Sequence, residues 1–280
     1  MDIKFHCDEE NNFRNGFPVR AFIYTDYSIE MHNHDFYELN IVLAGTGTHC
    51  IENGSLRVKS GDVFVIPPMV AHAYVDTENL DVYHILLKKS FLANNRDESK
   101  NVNGFLQFTE IEPFLRGSSA RSCFLHLSQS ELFQLRGELK YIDDNSEFSW
   151  KECAAMRYHT VWKLLYWLSQ ALYKQIYLSS CSAEKKYEVQ IINALEYIHQ
   201  NYGEKITIDF LCNQVYLSRS TFLRNFKAFC GVPPVEYLNN YRCKKAIELL
   251  ESANCSKTEI AHNCGFYDLS HMKRMLKNYR

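Results

Sequence analysis

Polar side chains at regular spacing interrupt an otherwise apolar run, MHNHDFYELNIVLAG, at residues 31–45. His32, His34 and Glu38 are separated by even numbers of residues, and side chains two apart along a β-strand share one face. His72, at the end of GDVFVIPPMVAH, is a fourth polar side chain that can join them. Three imidazoles and one carboxylate suit a divalent transition metal such as zinc, manganese, nickel or iron. These four residues are therefore candidate metal ligands.

The elements that must position these side chains are predicted to be short β-strands within the first 90 residues. Runs such as YELNIVLAG, DVFVIPP and DVYHILL are rich in β-branched and aromatic residues, and glycine, asparagine and proline separate them. Many short strands at this spacing are typical of a small sandwich or barrel. We therefore expect residues 1–120 to form a compact β domain.

Helical periodicity begins near residue 128. A single apolar stripe is formed by Tyr158, Val161, Leu165, Leu168, Leu172 and Ile176. Such a stripe either packs within the same chain or forms a dimer interface. Residues 121–186 are therefore predicted to be a helical connector with a role in dimerisation, and they end in the polar linker SSCSAEKK at 179–186. Residues 187–280 are helical to the end.

The most informative feature is an internal repeat at an offset of 50 residues. TIDFLCNQVYLSRSTFLRNFKAF at 207–229 aligns with KTEIAHNCGFYDLSHMKRMLKNY at 257–279. Each copy predicts a short helix, a tight turn and a second helix, and Thr207 and Ser256 are the expected N-caps of the first helices. The repeat therefore predicts an all-α C-terminal domain with two helix-turn-helix units.

The second helix of each copy divides into an apolar face and a basic, hydroxyl-rich face. The outward residues are Arg219, Ser220, Thr221, Arg224 and Lys227 in the first copy and Ser270, His271, Lys273 and Arg274 in the second. Arginine and lysine neutralise phosphates or reach guanine O6 and N7, and hydroxyls contact phosphates or bases. A solvated amphipathic helix would look the same in a single copy, but its occurrence twice favours double-stranded DNA as the partner.

The C-terminal segments LSRSTFLRNFKAFCGVPPVEYLNNYR and AIELLESANCSKTEIAHNCGFYDLSHMKRMLKNYR, at 217–242 and 246–280, resemble the paired helix-turn-helix domain of AraC/XylS transcriptional regulators. Met272 and Leu276 stand where this family usually has phenylalanine. The printed sequence ends before the family's closing Gly-x-x-Pro-x-x-Tyr-Arg segment, so we expect a less firmly held second unit. The resemblance implies that DNA is contacted by Arg219, Thr221, Arg224, Ser270, His271, Lys273 and Arg274.

The N-terminal cluster is similar to a second family. The spacings H-x-H-x3-E-x6-G at 32–45 and G-x5-P-x4-H at 61–72 resemble the two cupin motifs, with Met69 at a usual glycine and Asp76 at a usual asparagine. Cupins are small β-barrels that serve as metalloenzymes and as sugar-sensing domains of AraC-type regulators. The resemblance therefore implies a cupin-like β-barrel at the N-terminus.

Three interpretations of the cluster stay open: a catalytic metal site, a sensor site for a metal or polar ligand, and a hydrogen-bonded remnant that lines a pocket. A remnant or a pocket that contacts an effector directly is preferred to a metal. The segments GTGTH at 45–49 and DTENLDVYHILL at 76–87 resemble the rhamnose-responsive branch of the regulators, which implies a sugar effector. The expected effector-binding residues are His32, His34, Tyr37, Glu38, His72 and Tyr74.

Composition excludes some classes. No apolar run reaches about 18 residues, and the acidic start lacks a signal-peptide pattern, so we expect a cytoplasmic protein without a membrane partner.

The interpretation is an α+β protein in which a cupin-like barrel precedes the two helix-turn-helix units. We expect it to be a homodimeric regulator that is not an enzyme. The alternative is a cupin metalloenzyme, of dioxygenase or sugar isomerase type, with a helical appendage. Beyond the cluster we find no further acid, base or nucleophile arrangement to support it.

Overall fold

The structure is a computed structural model of the chain. It describes residues 2–13, 17–51, 54–94, 99, 101–116, 124–144, 150–179, 187–252 and 255–279. The chain divides into two compact units, Met1–Leu178 and Ser179–Arg280. The first is rich in β-sheet and the second is helical, which confirms the α+β class. The predicted linker beyond residue 179 and the boundary predicted at residues 120 and 121 lie outside the described residues.

The N-terminal unit contains one eight-stranded sheet. Its strands are β1 (Phe5–Cys7), β2 (Val19–Tyr24), β3 (Ile29–His34), β4 (Tyr37–Ile51), β5 (Gly54–Lys59), β6 (Asp62–Ile66), β7 (His72–Leu87) and β8 (Leu125–His126). Hydrogen-bonded neighbours follow the order β1-β3-β7-β4-β6-β8, with β2 also paired to β7 and β5 to β4. The pairing of β1 with β3 is parallel, and the other pairs are antiparallel.

The long antiparallel pair β4 and β7 is bent near its middle. Its register shifts between residues 42 and 48, where Gly45 has a φ of +71°. A Cβ at Gly45 would lie 2.0 Å from the carbonyl oxygen of Asn79, so this close approach requires glycine. The bend brings the two halves of the sheet together, and the ring of His49 contacts that of Phe64 at a centroid distance of 4.9 Å.

The predicted barrel is not a closed ring. In the described part of the chain the strand order runs from β1, with three residues, to β8, with two. Strands β1, β2, β5 and β8 each pair with a single neighbour in the described residues, so the sheet keeps free edges. The N-terminal domain is therefore a bent, open sheet that partly encloses one of its faces.

Alternation along β4 and β7 separates two faces of the sheet. Leu39 and Ile41 of β4 pack with Ile85 of β7 in a core on the outer side. We call the opposite side the inner face; it carries Glu38, Asn40, Val42, Val82 and His84. The inner face is where the sheet folds over itself, so polar groups there are removed from water.

Helices accompany the sheet, and most of them pack on its outer face, whereas the guanidinium of Arg116 lies 4.7 Å over the ring of Phe64 in the inner-face cluster. The helices are α1 (Glu9–Asn12), α2 (Lys89–Ala93), a π-helical turn (Gln107–Ile111) that leads into α3 (Glu112–Arg116), α4 (Gln129–Leu139) and α5 (Trp150–Ser179). The predicted apolar stripe of α5 packs against the sheet, and Leu165, Leu168 and Leu172 are buried there. Burial of each leucine side chain stabilises the fold by about 1.5–3 kcal/mol. The packing within one chain, one of the two predicted roles of this stripe, is the one that the structure shows.

The C-terminal unit is made of six helices in the described residues. They are α6 (Glu188–Asn201), α7 (Ile208–Gln214), α8 (Arg219–Cys230), α9 (Pro234–Ser252), α10 (Lys257–Asn263) and α11 (Leu269–Asn278). We call α7 with α8 the first reading unit and α10 with α11 the second. None of the helices in the described ranges combines the length and apolar character needed to cross a lipid bilayer.

The predicted N-caps of the reading units are confirmed. The hydroxyl of Thr207 accepts a hydrogen bond from the backbone N–H of Phe210, and Ser256 forms a reciprocal capping box with Glu259. The constant offset of 50 residues is wrong for the first helices, because α10 begins 49 residues after α7 and α11 begins 50 after α8. One additional residue in the second turn accounts for the difference.

Arg242 of α9 holds the second turn in place. Its guanidinium donates to the carbonyl oxygens of Tyr202 and Glu204, each at 2.7 Å. Gly265, with a φ of +74°, lies directly against this group, and a Cβ there would be 2.7 Å from the Arg242 Nη2 atom. The turn before α11 is thus fixed to the loop that follows α6.

Candidate functional sites

A buried carboxylate lies at the centre of the histidine cluster on the inner face. The Oε2 atom of Glu38 is 3.0 Å from His34 Nε2 and 3.6 Å from His72 Nε2. Its Oε1 atom accepts a hydrogen bond of 2.5 Å from His84 Nδ1. One potential ligand atom each from His32, Glu38 and His72 lie within 4.8 Å of one another. The structure therefore brings together the four predicted residues and adds His84.

The route by which these residues meet differs from the prediction. His32 and His34 belong to β3 and Glu38 to β4, because β3 ends at His34 and β4 begins at Tyr37. The assumption of one continuous strand is therefore wrong. His32 pairs across strands with His72, and the turn between β3 and β4 returns Glu38 to the same place. Long-range pairing, and not alternation along one strand, assembles the cluster.

Backbone carbonyls fix the tautomers of the three predicted histidines. The Nδ1 atoms of His32, His34 and His72 lie 2.9, 2.7 and 3.1 Å from the carbonyl oxygens of Glu30, Phe36 and Val70. A carbonyl only accepts, so each Nδ1 carries the proton and each Nε2 has a free lone pair in the neutral ring. The Nε2 atoms of His34 and His72 have no hydrogen-bond geometry to a partner in the described residues, although both face Glu38.

The electrostatics of the cluster favour the negative form of Glu38 and the neutral form of His32. Burial works to raise the pKa of Glu38, but contacts with His34, His72 and His84 outweigh it and hold that pKa well below its usual value. Burial, assisted by the neighbouring His72, lowers the pKa of His32 to about 4. Lone pairs that converge on a carboxylate fit a divalent transition metal, with the Nδ1 contacts as orienting partners.

A second group of buried polar side chains, of which only Tyr74 was among the predicted site residues, lies beside this cluster. His49 and Asn40 are fully buried, and Asn40 Nδ2 donates to the hydroxyl of Tyr74 at 3.1 Å. Burial lowers the pKa of His49 well below its usual value, so the ring is neutral at pH 7. His84 was also missed, although a single polar residue in the apolar run DVYHILL is a signal that could have identified it.

The two predicted aromatic residues, Tyr37 and Tyr74, lie on opposite faces of the sheet. Tyr74 is fully buried on the inner face, where its ring lies 4.8 Å from that of His49. Tyr37 packs instead against the outer core, on the side of β4 opposite to Glu38. Adjacent residues of a strand point to opposite faces, so Tyr37 cannot stack on a ligand held beside Glu38. The structure thus removes Tyr37 from the candidate effector site.

The predicted outward residues of α8 and α11 are accessible. Exposed side chains are those of Arg219, Ser220, Arg224, Lys227, Ser270, Lys273 and Arg274, and half-buried ones are those of Thr221 and His271. The opposite faces are packed, with Phe222 and Met272 completely buried at equivalent positions. Each second helix therefore presents a basic surface to solvent, as its sequence pattern predicts.

Local contacts orient some of these side chains. Arg219 forms an exposed ion pair with Asp209 of α7. His271 Nδ1 accepts a hydrogen bond of 3.3 Å from the backbone N–H of Tyr267. A cleft of about 380 Å³ at the start of α11 is lined by Tyr267, Asp268, Ser270, His271 and Arg274. Arg224 has no ion-pair or hydrogen-bond partner among the described residues, so its guanidinium is available to a ligand.

Comparisons with known proteins match both parts of the chain. The AraC-like ligand binding domain family matches residues 16–134, and a helix-turn-helix domain family matches residues 211–279. The HTH-type transcriptional activators RhaS of Enterobacter sp. (strain 638) and of Escherichia coli (strain UTI89 / UPEC) are each 25% identical over 246 residues, which cover 88% of this chain and 82% of the relative.

Solved structures show weaker similarity. ToxT from Vibrio cholerae aligns with 93% of this chain and 94% of its own at 12% identity, with a TM-score of 0.36. The DNA-binding domain of AdpA, solved with a target DNA, aligns with 32% of this chain and 80% of its own at 26% identity, with a TM-score of 0.31.

Proposed function

We propose that this chain is a ligand-sensing transcriptional regulator of the AraC type, in which α8 and α11 read the DNA sites and the inner face of the sheet binds a sugar effector; the two family matches support this proposal. The observation that carries the DNA part is the repeated exposed basic face opposite a packed one. Residues at the start of a reading helix reach base edges, and flanking cations contact phosphates. The proposed DNA contacts are Arg219, Ser220, Thr221, Arg224, Lys227, Ser270, His271, Lys273 and Arg274.

The connection between the reading units suits adjacent turns of one duplex. Helix α9 has 19 residues, which at 1.5 Å per residue span about 28 Å. Successive major grooves on one side of DNA are about 34 Å apart. We therefore expect each reading unit to occupy its own half-site.

The decisive experiment is binding of the full chain to labelled upstream DNA at several salt concentrations, with a scrambled duplex as control. Arg224→Ala is expected to weaken specific binding by about 1–3 kcal/mol, because a lost base contact has this magnitude. Lys205→Ala is the matched control, since Lys205 is an exposed cation of the same unit outside α8 and α11. If both changes weaken binding equally, Arg224 contributes only general electrostatic attraction to DNA and does not contact a specific base. No weakening by Arg224→Ala would contradict the assignment of α8.

The effector part of the proposal is supported by the chemistry of the inner face. It combines hydrogen-bonding groups with aromatic rings, the combination that binds sugar hydroxyls and C–H faces. Titration of the full chain with free sugars, followed by the change in DNA affinity, tests it. A sugar that binds protein and changes DNA affinity is expected. Binding that leaves DNA affinity unaltered would contradict an effector role.

The histidine–carboxylate geometry supports a metal as a second candidate for the cluster. His32, His34 and His72 would hold it through Nε2, and Glu38 through Oε2. A divalent metal there would supply a Lewis acid for a ligand oxygen. Metal analysis of protein purified without chelator, compared with His72→Ala, tests this assignment. Far less than one equivalent in the parent protein, with no effect of the substitution, would reject it.

The absence of enzymatic activity and the dimeric state are also proposals. Metal-loaded protein should not turn over candidate sugars or 1,2-diketones, and product formation would favour the cupin metalloenzyme instead. A homodimer would have to use a surface other than the predicted stripe of α5, because that stripe packs on the sheet. Sedimentation velocity with and without DNA measures the oligomeric state.

A further inference from the structure

Two tyrosine side chains, Tyr216 and Tyr267, project from the turns that precede the reading helices. They are 93% and 85% exposed, more than any other large apolar or aromatic side chain in the described residues. In the same part of the chain, neither ring contacts another ring and neither hydroxyl has a hydrogen-bond partner. Packing within the unit therefore does not account for a tyrosine at either position.

The two turns follow one plan up to a single residue. Tyr216 and Gly265 are equivalent, because each has a positive φ, of +55° and +74°, and each donates its N–H to the carbonyl three residues before it. One residue separates Tyr216 from the N-cap of α8, and two separate Gly265 from the N-cap of α11. Tyr267 is the additional residue of the second turn.

Each tyrosine is therefore a departure from the simpler turn. A bulky residue with positive φ is uncommon, because its Cβ approaches a backbone oxygen, and the second unit avoids this strain with Gly265. Tyr267, in turn, lengthens a turn that the first unit makes with one residue fewer. Two different local solutions thus put an exposed phenol just before each reading helix. Because backbone strain persists mainly where function requires it, a shared external partner accounts for both.

The surroundings of the two side chains indicate DNA as this partner. Tyr267 lines the cleft of about 380 Å³ at the start of α11 together with the N-cap residue and three proposed DNA contacts, which are Asp268, Ser270, His271 and Arg274. Tyr216 lies three residues before Arg219, the first residue of α8. The start of a reading helix enters the major groove, so residues just before it lie at the groove rim, where the phosphates are. A protein bound to these side chains would occupy the surface that the duplex needs.

We propose that Tyr216 and Tyr267 hold the DNA backbone, each donating its phenolic hydrogen to a phosphate beside the half-site of its reading unit. Tyrosine hydroxyls are donors to phosphate oxygens, whereas the bidentate reading of base edges uses arginine, lysine, asparagine or glutamine. The contact therefore positions the reading helix and carries no sequence information. It rests on the proposed reading role of α8 and α11.

Tyr216→Phe and Tyr267→Phe each remove one hydroxyl and keep the ring. In titrations of the full chain, each change should weaken binding to the upstream duplex and to a scrambled duplex by the same factor, about three- to tenfold. The slope of log affinity against log salt concentration should not change, because a neutral phenol releases no counterions. Lys227→Ala, at a proposed phosphate contact, should instead reduce that slope by about 1.

Tyr24→Phe is the matched control, because it makes the same change at a 48% exposed tyrosine of β2 in the N-terminal unit and should leave DNA affinity unaltered. Tyr216→Gly separates contact from structure. It introduces the residue type of the equivalent Gly265 and relieves the strained backbone, so it should retain or raise the melting temperature while DNA affinity falls. Affinity and melting temperature that fall together would make the role of Tyr216 structural and overturn the contact.

Duplexes that carry a single methylphosphonate locate the contacts. The parent chain should lose affinity when the contacted phosphate is replaced, and the corresponding phenylalanine variant should lose no more there. Unaltered DNA affinity of both phenylalanine variants would overturn the proposal and leave the tyrosines to a protein partner. Weakening confined to the upstream duplex would overturn it in favour of base reading. A parent chain that does not distinguish the two duplexes would reject the reading role of α8 and α11, and this contact with it.

Discussion

Phe226 packs the second helix of the first reading unit, and Leu276 takes the same position in the second unit. Phe226 is completely buried, whereas Leu276 is only partly buried at the edge of its core. The surfaces differ less: each second helix is capped, follows a turn with a left-handed residue and presents arginine and lysine outward. The repeat thus keeps its surface chemistry more strictly than its core volume. That difference is expected where a shared polar partner, and not the core, constrains both units.

The largest expected effect is a difference in unfolding free energy between substitutions in the cores of the two reading units. Phe226→Ala should destabilise the C-terminal unit by about 3–5 kcal/mol because it leaves a large buried cavity. Leu276→Ala should cost less than half of that, since the side chain is already partly exposed. Urea unfolding followed by circular dichroism measures both changes. The three tryptophans, at 150, 162 and 167, all lie in the N-terminal unit, so their fluorescence is an internal control. Equal losses would show that the cores are equivalent.

The next effect concerns the surface. Arg224→Ala and Arg274→Ala should each weaken specific DNA binding by about 1–3 kcal/mol, and each should remove footprint protection from a different half-site. Their combination should be close to additive, because they act on separate helices. Quantitative footprinting measures the two half-sites independently. Loss of protection over the whole site by one change alone would mean that a single reading unit carries the specificity.

Substitutions at the N-caps of α7 and α10 should differ less in their effect on unfolding free energy. Thr207→Ala removes one side-chain hydrogen bond from the start of α7 and should cost about 1 kcal/mol. The double change Ser256→Ala and Glu259→Ala removes both bonds of a capping box and should cost more. Hydrogen exchange of peptides from α7 and α10 localises each effect. A greater opening of α7 than of α10 would reverse the comparison.

The smallest expected effect is at an exposed ion pair that, among the described residues, the first reading unit has and the second lacks. Asp209→Ala releases Arg219 and should alter stability by less than about 0.5 kcal/mol, because surface pairs contribute little. The freed guanidinium and the lost negative charge should increase DNA affinity modestly and steepen its salt dependence. Asp268 is unsuitable for a parallel test because it caps α11. Weaker DNA binding by Asp209→Ala would instead mean that Asp209 orients Arg219 for its contact.

Local patterns made the C-terminal unit largely predictable. Caps, amphipathic faces and turns act over a few residues, so Thr207, Ser256 and the outward residues could be identified from spacing. The additional residue in the second turn was hidden, because an alignment without gaps forces one offset on both helices. Stability of the second unit also depends on Arg242, whose partners follow from the tertiary fold.

The N-terminal site was predictable only in part. Motif spacing indicated His32, His34, Glu38 and His72, and the structure brings them together. The bend at Gly45 and the positions of His49 and His84 result from pairing between distant strands, which short-range periodicity does not encode. Tyr37 was misplaced for a simpler reason: its neighbour Glu38 points inward, so Tyr37 points outward. The roles of these residues in binding stay predictions.

The long pair of β4 and β7 also sets the pace at which this protein reaches its native state. Its partners are separated by between 21 and 50 positions in the chain, from Ile51 with His72 to Tyr37 with Leu87. Distant pairing requires the closure of long loops and makes folding slow, whereas helical units with local contacts form within microseconds to milliseconds. During synthesis β4 emerges before β7, so its apolar side chains and unpaired backbone groups stay exposed until β7 has been made. Slow translation or low growth temperature should therefore increase the yield of native protein.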